Sequence, residues 1–179
     1  MPDSREAEEL AASYFQYAAW MSVDLMSPLQ IIGSDYLTLP RYTPIFEQDF
    51  KEQIFDLFYE NNSTAEQDPL EAHKLALLFF VFAMGKLTDP RTRDLSTQDA
   101  MKYFHIARAA LTLNQSLETP SIPLLQGLLL MCHFMFIANI ESSRWLTMGI
   151  VVKLSQSVCA LPSVLCVSGA EGPFADWTA

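Results

Sequence analysis

The sequence predicts an all-α chain: an orthogonal or irregular bundle of about six helices, followed by an irregular C-terminal tail. Three observations predict it. Apolar residues recur at helical spacing along most of the chain. None of the intervening segments keeps the two-residue alternation of a half-buried strand. Apolar residues make up 50% of the 179, enough for a sizeable core in one domain.

The first helix is expected from about Asp3 to Met21, where Leu10, Tyr14, Tyr17 and Met21 share a face and early carboxylates suit the positive end of the helix dipole. Residues 22–43 break the pattern with Pro28, Gly33 and Pro40 and read as an irregular insert. Phe46, Phe50, Ile54 and Phe58 then lay an aromatic stripe on a second helix, read as core packing. Asp68-Pro69-Leu70-Glu71 has the chemistry of a helix start, with a cap acceptor, a first-turn proline and a carboxylate three residues on. The helix it opens, to Gly85, is apolar nearly all round and belongs at the centre of the domain.

Ser96-Thr97-Gln98-Asp99 offers another cap, and Ala100, Phe104, Ala107 and Leu111 form the stripe behind it. The small residues Ala107, Ala109 and Ala110 let a neighbouring helix approach closely. Ser121 and Pro123 open the segment of Leu124, Leu125, Leu128, Leu129 and Cys132. Ser142 or Ser143 can cap a last helix, in which Trp145, Met148, Gly149 and Val152 share a face. The domain is thus placed at 1–157, and the patternless residues 158–179 read as a tail.

Charge and cysteine content exclude several functions. A net charge of −10, with 11 Lys+Arg against 21 Asp+Glu, repels nucleic acid, whose phosphates must be met by clustered cations. Three scattered cysteines and an N-terminus without an apolar leader point to a reducing, intracellular compartment, so the sequons at Asn61, Asn62 and Asn114 read as chance matches. The longest nearly apolar stretch, 124–140, falls short of the roughly 20 residues a bilayer span needs.

No catalytic, cofactor-binding or metal-binding residue is assigned. The chain has no C-x-x-C pair, and the adjacent Cys132 and His133 point roughly 100° apart on a helix. Cys132 reads as a small core residue and His133 as a helix-flank polar group. His73 and His105 lie on separate helices with no partnering acid or nucleophile at a telling spacing, and read as surface or satisfied structural histidines. There is no nucleophile elbow, phosphate loop or dinucleotide fingerprint. Glu6, Glu8, Glu9, Asp49, Glu52, Asp56 and Glu60 read as a solvated face.

The order Ala100, Tyr103-Phe104, Ala107-Arg108, Leu111, then Ser121, Leu125-Gln126, Leu128-Leu129-Leu130, then Trp145, Gly149, Val152, Leu154 and Gln156 resembles the middle homology region of fungal binuclear zinc-cluster transcription factors, also called the fungal-specific transcription factor domain. Ala76-Leu77-Leu78 through Ala83-Met84-Gly85 and the Tyr14-Phe15 helix fit its beginning, so the resemblance spans about Leu10 to Gln156 apart from the insert. It implies a nuclear regulator whose zinc is bound in an upstream domain and whose helical domain acts through protein partners or a small-molecule effector.

The sequence departs from that pattern in two places. No six-cysteine cluster precedes the domain, so this chain carries no cofactor and makes no direct nucleic-acid contact. The Gly-Leu-His that the family places shortly after Gln156 is replaced by Val158-Cys159-Ala160-Leu161-Pro162. Both departures predict a partial or mis-spliced product, with apolar surface left uncovered on the last two helices and a tendency to self-associate. The expected function is a non-enzymatic regulatory domain modulating DNA-templated transcription in the nucleus, without a membrane role. The alternative is a helical protein-interaction module unrelated to transcription.

Overall fold

The structure, a computed structural model, describes residues 1–18, 44–59, 70–91, 96–113, 120–140 and 143–167, with the backbone alone at 96 and 159–167. Those residues form six helical runs and, among them, no strand. Outside the described residues lie the whole 22–43 insert, the end of the expected first helix at 19–21, the sequons, Glu60, Asp68, Pro69, Ser142 and the end of the tail at 168–179.

Helix α1, Ser4–Ser13, starts where the Asp3 side chain accepts the Glu6 N–H at 2.9 Å, a side-chain cap on one of the four orphan donors of a helix start. It does not run on as one regular helix. At Tyr14–Ala18 it widens into a π turn, which buries Tyr14 and Ala18. Helix α2, residues 47–59, is likewise interrupted, with a π turn at Lys51–Phe55 between Glu47–Phe50 and Asp56–Tyr59.

That turn corrects the aromatic stripe. Each π turn inserts a residue and rotates the rest of the helix about its axis. Phe50 and Ile54 are buried as expected, but Phe46 stands at the N-cap in extended conformation and is exposed, Phe58 is half-buried, and Phe55 turns inward instead.

Helix α3, Glu71–Thr88, begins at Leu70, which offers no side-chain cap, two residues beyond the expected Asp68. Its ten residues 76–85 are all buried, the all-round burial that its composition predicts. Around it pack α1 with its π turn, helix α4 (Ser96–Thr112) and helix α5 (Ile122–Ile137). Gly85 makes the α1 crossing possible. A Cβ there would overlap the Leu10 carbonyl oxygen, with the carbonyl carbon at 3.0 Å and the Tyr14 nitrogen at 3.3 Å.

Helix α4 buries the expected Ala100, Phe104 and Ala107, together with Ala110, while Ala109 faces outward. The Asp99 carboxylate forms an ion pair with Lys102 at 2.7 Å. The layers interlock through aromatic rings. Phe104 stacks on Phe134 of α5 with centroids 4.4 Å apart, and Phe80 of α3 meets Phe104 edge-on at 5.9 Å.

Helix α5 opens as predicted, with the Ser121 hydroxyl accepting the Leu124 N–H at 3.3 Å and a proline in the first turn. It closes in a Schellman motif: Ile140 N–H donates to the Met135 carbonyl at 2.8 Å, Asn139 N–H donates to Phe136 at 3.3 Å, and Asn139 takes φ 56°. That reversal delivers helix α6, Arg144–Val167, back against α5. The helix continues past Gln156 to Val167, ten residues into the segment read as a tail. Loss of amphipathic period reports which faces are buried and does not by itself end a helix. A single proline such as Pro162 removes one backbone bond and can be absorbed as a kink.

Candidate functional site

The three histidines fall on three different helices. His73 is fully buried in α3, with Nδ1 2.9 Å from the Ser121 Oγ at the start of α5. The same Ser121 oxygen accepts the Leu124 N–H at 3.3 Å, so one hydroxyl joins the start of α5 to the imidazole. Nε2 has no hydrogen-bond partner among the described residues. Burial holds the imidazole below its usual range, in the neutral form. Of the surface and satisfied-structural positions that the sequence left open, His73 occupies a buried one, with a partner on a single nitrogen.

His105 lies exposed on α4 with its ring edge towards Phe104 at 5.8 Å, and His133 is half-buried on α5, lowered in pKa by burial. Cys132 is buried beside it. Desolvation pushes its thiol up to about 11, against a smaller opposing pull from Arg144, so it is a poor nucleophile near neutrality. Among the described residues no three His, Cys, Asp or Glu side chains gather as metal ligands would.

A groove of about 410 Å³ runs between the chain's N-terminus and α4. Its polar groups are engaged with one another: Lys102 with Asp99 at 2.7 Å, and the Tyr103 hydroxyl donating to Glu6 at 3.3 Å. Burial, followed by the Glu6 charge, raises the Tyr103 phenol to about 12. Nearby, the Tyr59 hydroxyl donates to the Pro2 carbonyl at 3.2 Å, which ties α2 to the start of the chain. The two tyrosine contacts join separate elements, whereas the Asp99–Lys102 pair lies within α4.

The other feature is the outer face of α6. Trp145, Met148, Gly149 and Val152 do share a face, and it points to solvent: Trp145 is 77% exposed, Val152 46% and Met148 38%. Leu146 at 70% and Phe136 of α5 at 49% extend it. The opposite side, with Thr147, Ile150, Val151 and Leu154, is the one that packs inward, so α6 is apolar on two sides. The Arg144 guanidinium lies 5.3 Å from the Phe136 ring centroid and 5.8 Å from that of Trp145, a cation held over two aromatic faces at the positive end of the helix. Ser143 is not the side-chain cap the sequence suggested. Its hydroxyl donates to the Met135 sulfur at 3.3 Å, and its carbonyl receives both the N–H and the hydroxyl of Thr147.

Sequence reasoning grouped the right residues on α6 but left their direction open. The missing signal was on the other side of the helix, where Thr147, Ile150, Val151 and Leu154 offer a second and more aliphatic stripe.

Among the described residues, fold and site define a helical bundle with a bare apolar face on α6. Compared with family models, with curated proteins and with solved structures, the chain gives no match in any of the three. Among the described residues no helix is long and apolar enough to cross a membrane.

Proposed function

We propose that the chain is a non-enzymatic regulatory domain of the fungal zinc-cluster transcription factor type, working in the nucleus through protein partners or a small-molecule effector. The observation that carries the reading is the exposed apolar stripe of α6, a surface suited to contact rather than chemistry. The order of residues that resembles the middle homology region adds to it. Ala100, Phe104, Ala107, Leu128 and Leu154 of that order lie in the core, whereas Trp145, Gly149 and Val152 lie on the bare face. Zinc and DNA would be held by an upstream cluster elsewhere in the protein, since a chain of net charge −10 repels phosphates.

The test fuses the whole chain to a heterologous DNA-binding domain in yeast and follows a reporter gene, with a fluorescent tag to locate the fusion. A change in reporter output that Trp145→Ala removes supports the reading. Output equal to that of the DNA-binding domain alone, in cells where the fusion is folded and nuclear, refutes it. The second reading, an interaction module unrelated to transcription, rests on the same face and is favoured by a cytoplasmic, reporter-silent fusion.

A further inference from the structure

The bare face of α6 has a charge signature of its own. Across Arg144–Val167 the charged residues are Arg144 and Lys153, with no Asp or Glu, in a chain that otherwise carries a large acidic excess. Lys153 is exposed beside the stripe, with Nζ 3.5 Å from the Gln156 oxygen, and Arg144 is held over Phe136 and Trp145. The exposed parts of Trp145, Leu146, Met148, Val152 and Phe136 amount to roughly 500 Å² of apolar surface.

That area matches a single docked helix and falls short of the roughly 800 Å² per partner that a stable protein pair buries. A second copy is the poorer occupant on charge as well, because pairing two α6 faces sets Arg144 and Lys153 against themselves. At physiological ionic strength charges are screened beyond about 8 Å, so the two cations at the rim govern the choice of partner rather than carboxylates on other helices.

We propose that the exposed face of α6 docks an amphipathic helix of another protein, whose aliphatic stripe seats against Trp145, Met148 and Val152 and whose flanking Glu or Asp residues meet Arg144 and Lys153. Gly149, where a Cβ would meet open space, leaves the helix backbone uncovered in the middle of the stripe. The inference stands on the face alone and holds whether or not the chain acts in transcription.

The experiment titrates the full chain with a synthetic amphipathic helix of about 18 residues carrying a leucine stripe flanked by Glu, and with the same peptide flanked by Lys. The Glu peptide is expected to bind roughly ten-fold more tightly at physiological ionic strength, with the margin shrinking as salt rises further. Val152→Asp should abolish binding of both, and Arg144→Glu with Lys153→Glu should reverse the preference. Circular dichroism melts check that the variants fold. Should Val152→Asp disturb folding, Lys153→Glu alone still reads the charge preference at an exposed position.

Equal affinity for the two peptides overturns the proposal, as does binding that survives Val152→Asp in a folded chain. So does a dimer in sedimentation equilibrium that the same substitution disperses, which would make a second copy the occupant. Preferential uptake by phosphatidylserine vesicles, lost in the same variants, would assign the face to a membrane surface and also overturn it.

Discussion

Adding one methyl group at Gly85 tests the crossing of α1 over α3 more sharply than any larger substitution. In an ordinary helix interior, Gly→Ala stabilises by about 0.5–1 kcal/mol because alanine loses less backbone freedom on folding. At Gly85 the new Cβ would overlap the Leu10 carbonyl oxygen and press on the Tyr14 nitrogen at 3.3 Å. Both are backbone atoms of one rigid helical turn, so relief requires moving α1 as a body and loosening Ala7, Leu10 and Tyr14, all buried. Overpacking of this kind costs about 1–3 kcal/mol where side chains can adjust, and here none is available to do so.

The expected net loss for Gly85→Ala is about 2 kcal/mol or more, a fall in Tm of about 4–8 °C for a chain of this size. Gly149→Ala, where nothing lies within 4 Å, should instead gain up to about 1 kcal/mol. Gly127→Ala, whose Cβ would meet the Phe80 ring at 3.5 Å, should be near neutral. Thermal and urea melts followed by circular dichroism read all three. A Gly85→Ala protein as stable as the parent would refute the close crossing and with it the placement of α1.

Three further outcomes are expected. Ser121→Ala removes both the cap of α5 and the partner of His73 and should cost about 1–2 kcal/mol in urea melts, whereas Ser121→Thr retains most of it. Burial lowers the His73 pKa from its usual 6.5, so the unfolded chain binds the proton more readily. Stability should therefore be whole above about pH 6.5 and decline as pH falls below it, levelling only once folded His73 protonates too. His73→Asn should flatten part of that decline, leaving the share of His133, which is shifted in the same direction; an unchanged profile would show that His73 is not desolvated. With Cys159 and Cys166 replaced by serine, Cys132 should resist a thiol reagent at neutral pH and react on unfolding.

Much of the fold was legible because burial and period coincide. The all-apolar α3 could only be central, and Ser121 with Pro123 marked the start of α5 by chemistry that needs no tertiary context. Errors arose where the backbone left the regular helix. Phe46 falls outside the helix at its extended N-cap, and the π turn at Lys51–Phe55 brings Phe55 inward; a residue inserted by hydrogen-bond geometry leaves no mark in hydrophobic spacing. The extent of α6 was missed because its backbone stays helical to Val167, past Pro162, where the sequence shows no helical period. The direction of Trp145 depended on which of two stripes α5 would accept, a property of the pair rather than of either segment. The bond of His73 to a serine 48 residues away leaves no mark in the sequence.

The unbroken burial of residues 76–85 has a consequence for how the chain tolerates change. A surface helix accepts variation on two or three positions of every turn, so a map of viable substitutions along it rises and falls with the helical repeat. Along α3 that map should be a single block, ten positions long, in which only exchanges of nearly equal volume survive. Sequence drift in relatives of this protein would then collect on α2 and the outward positions of α4, and α3 would remain the stretch by which distant copies could still be aligned.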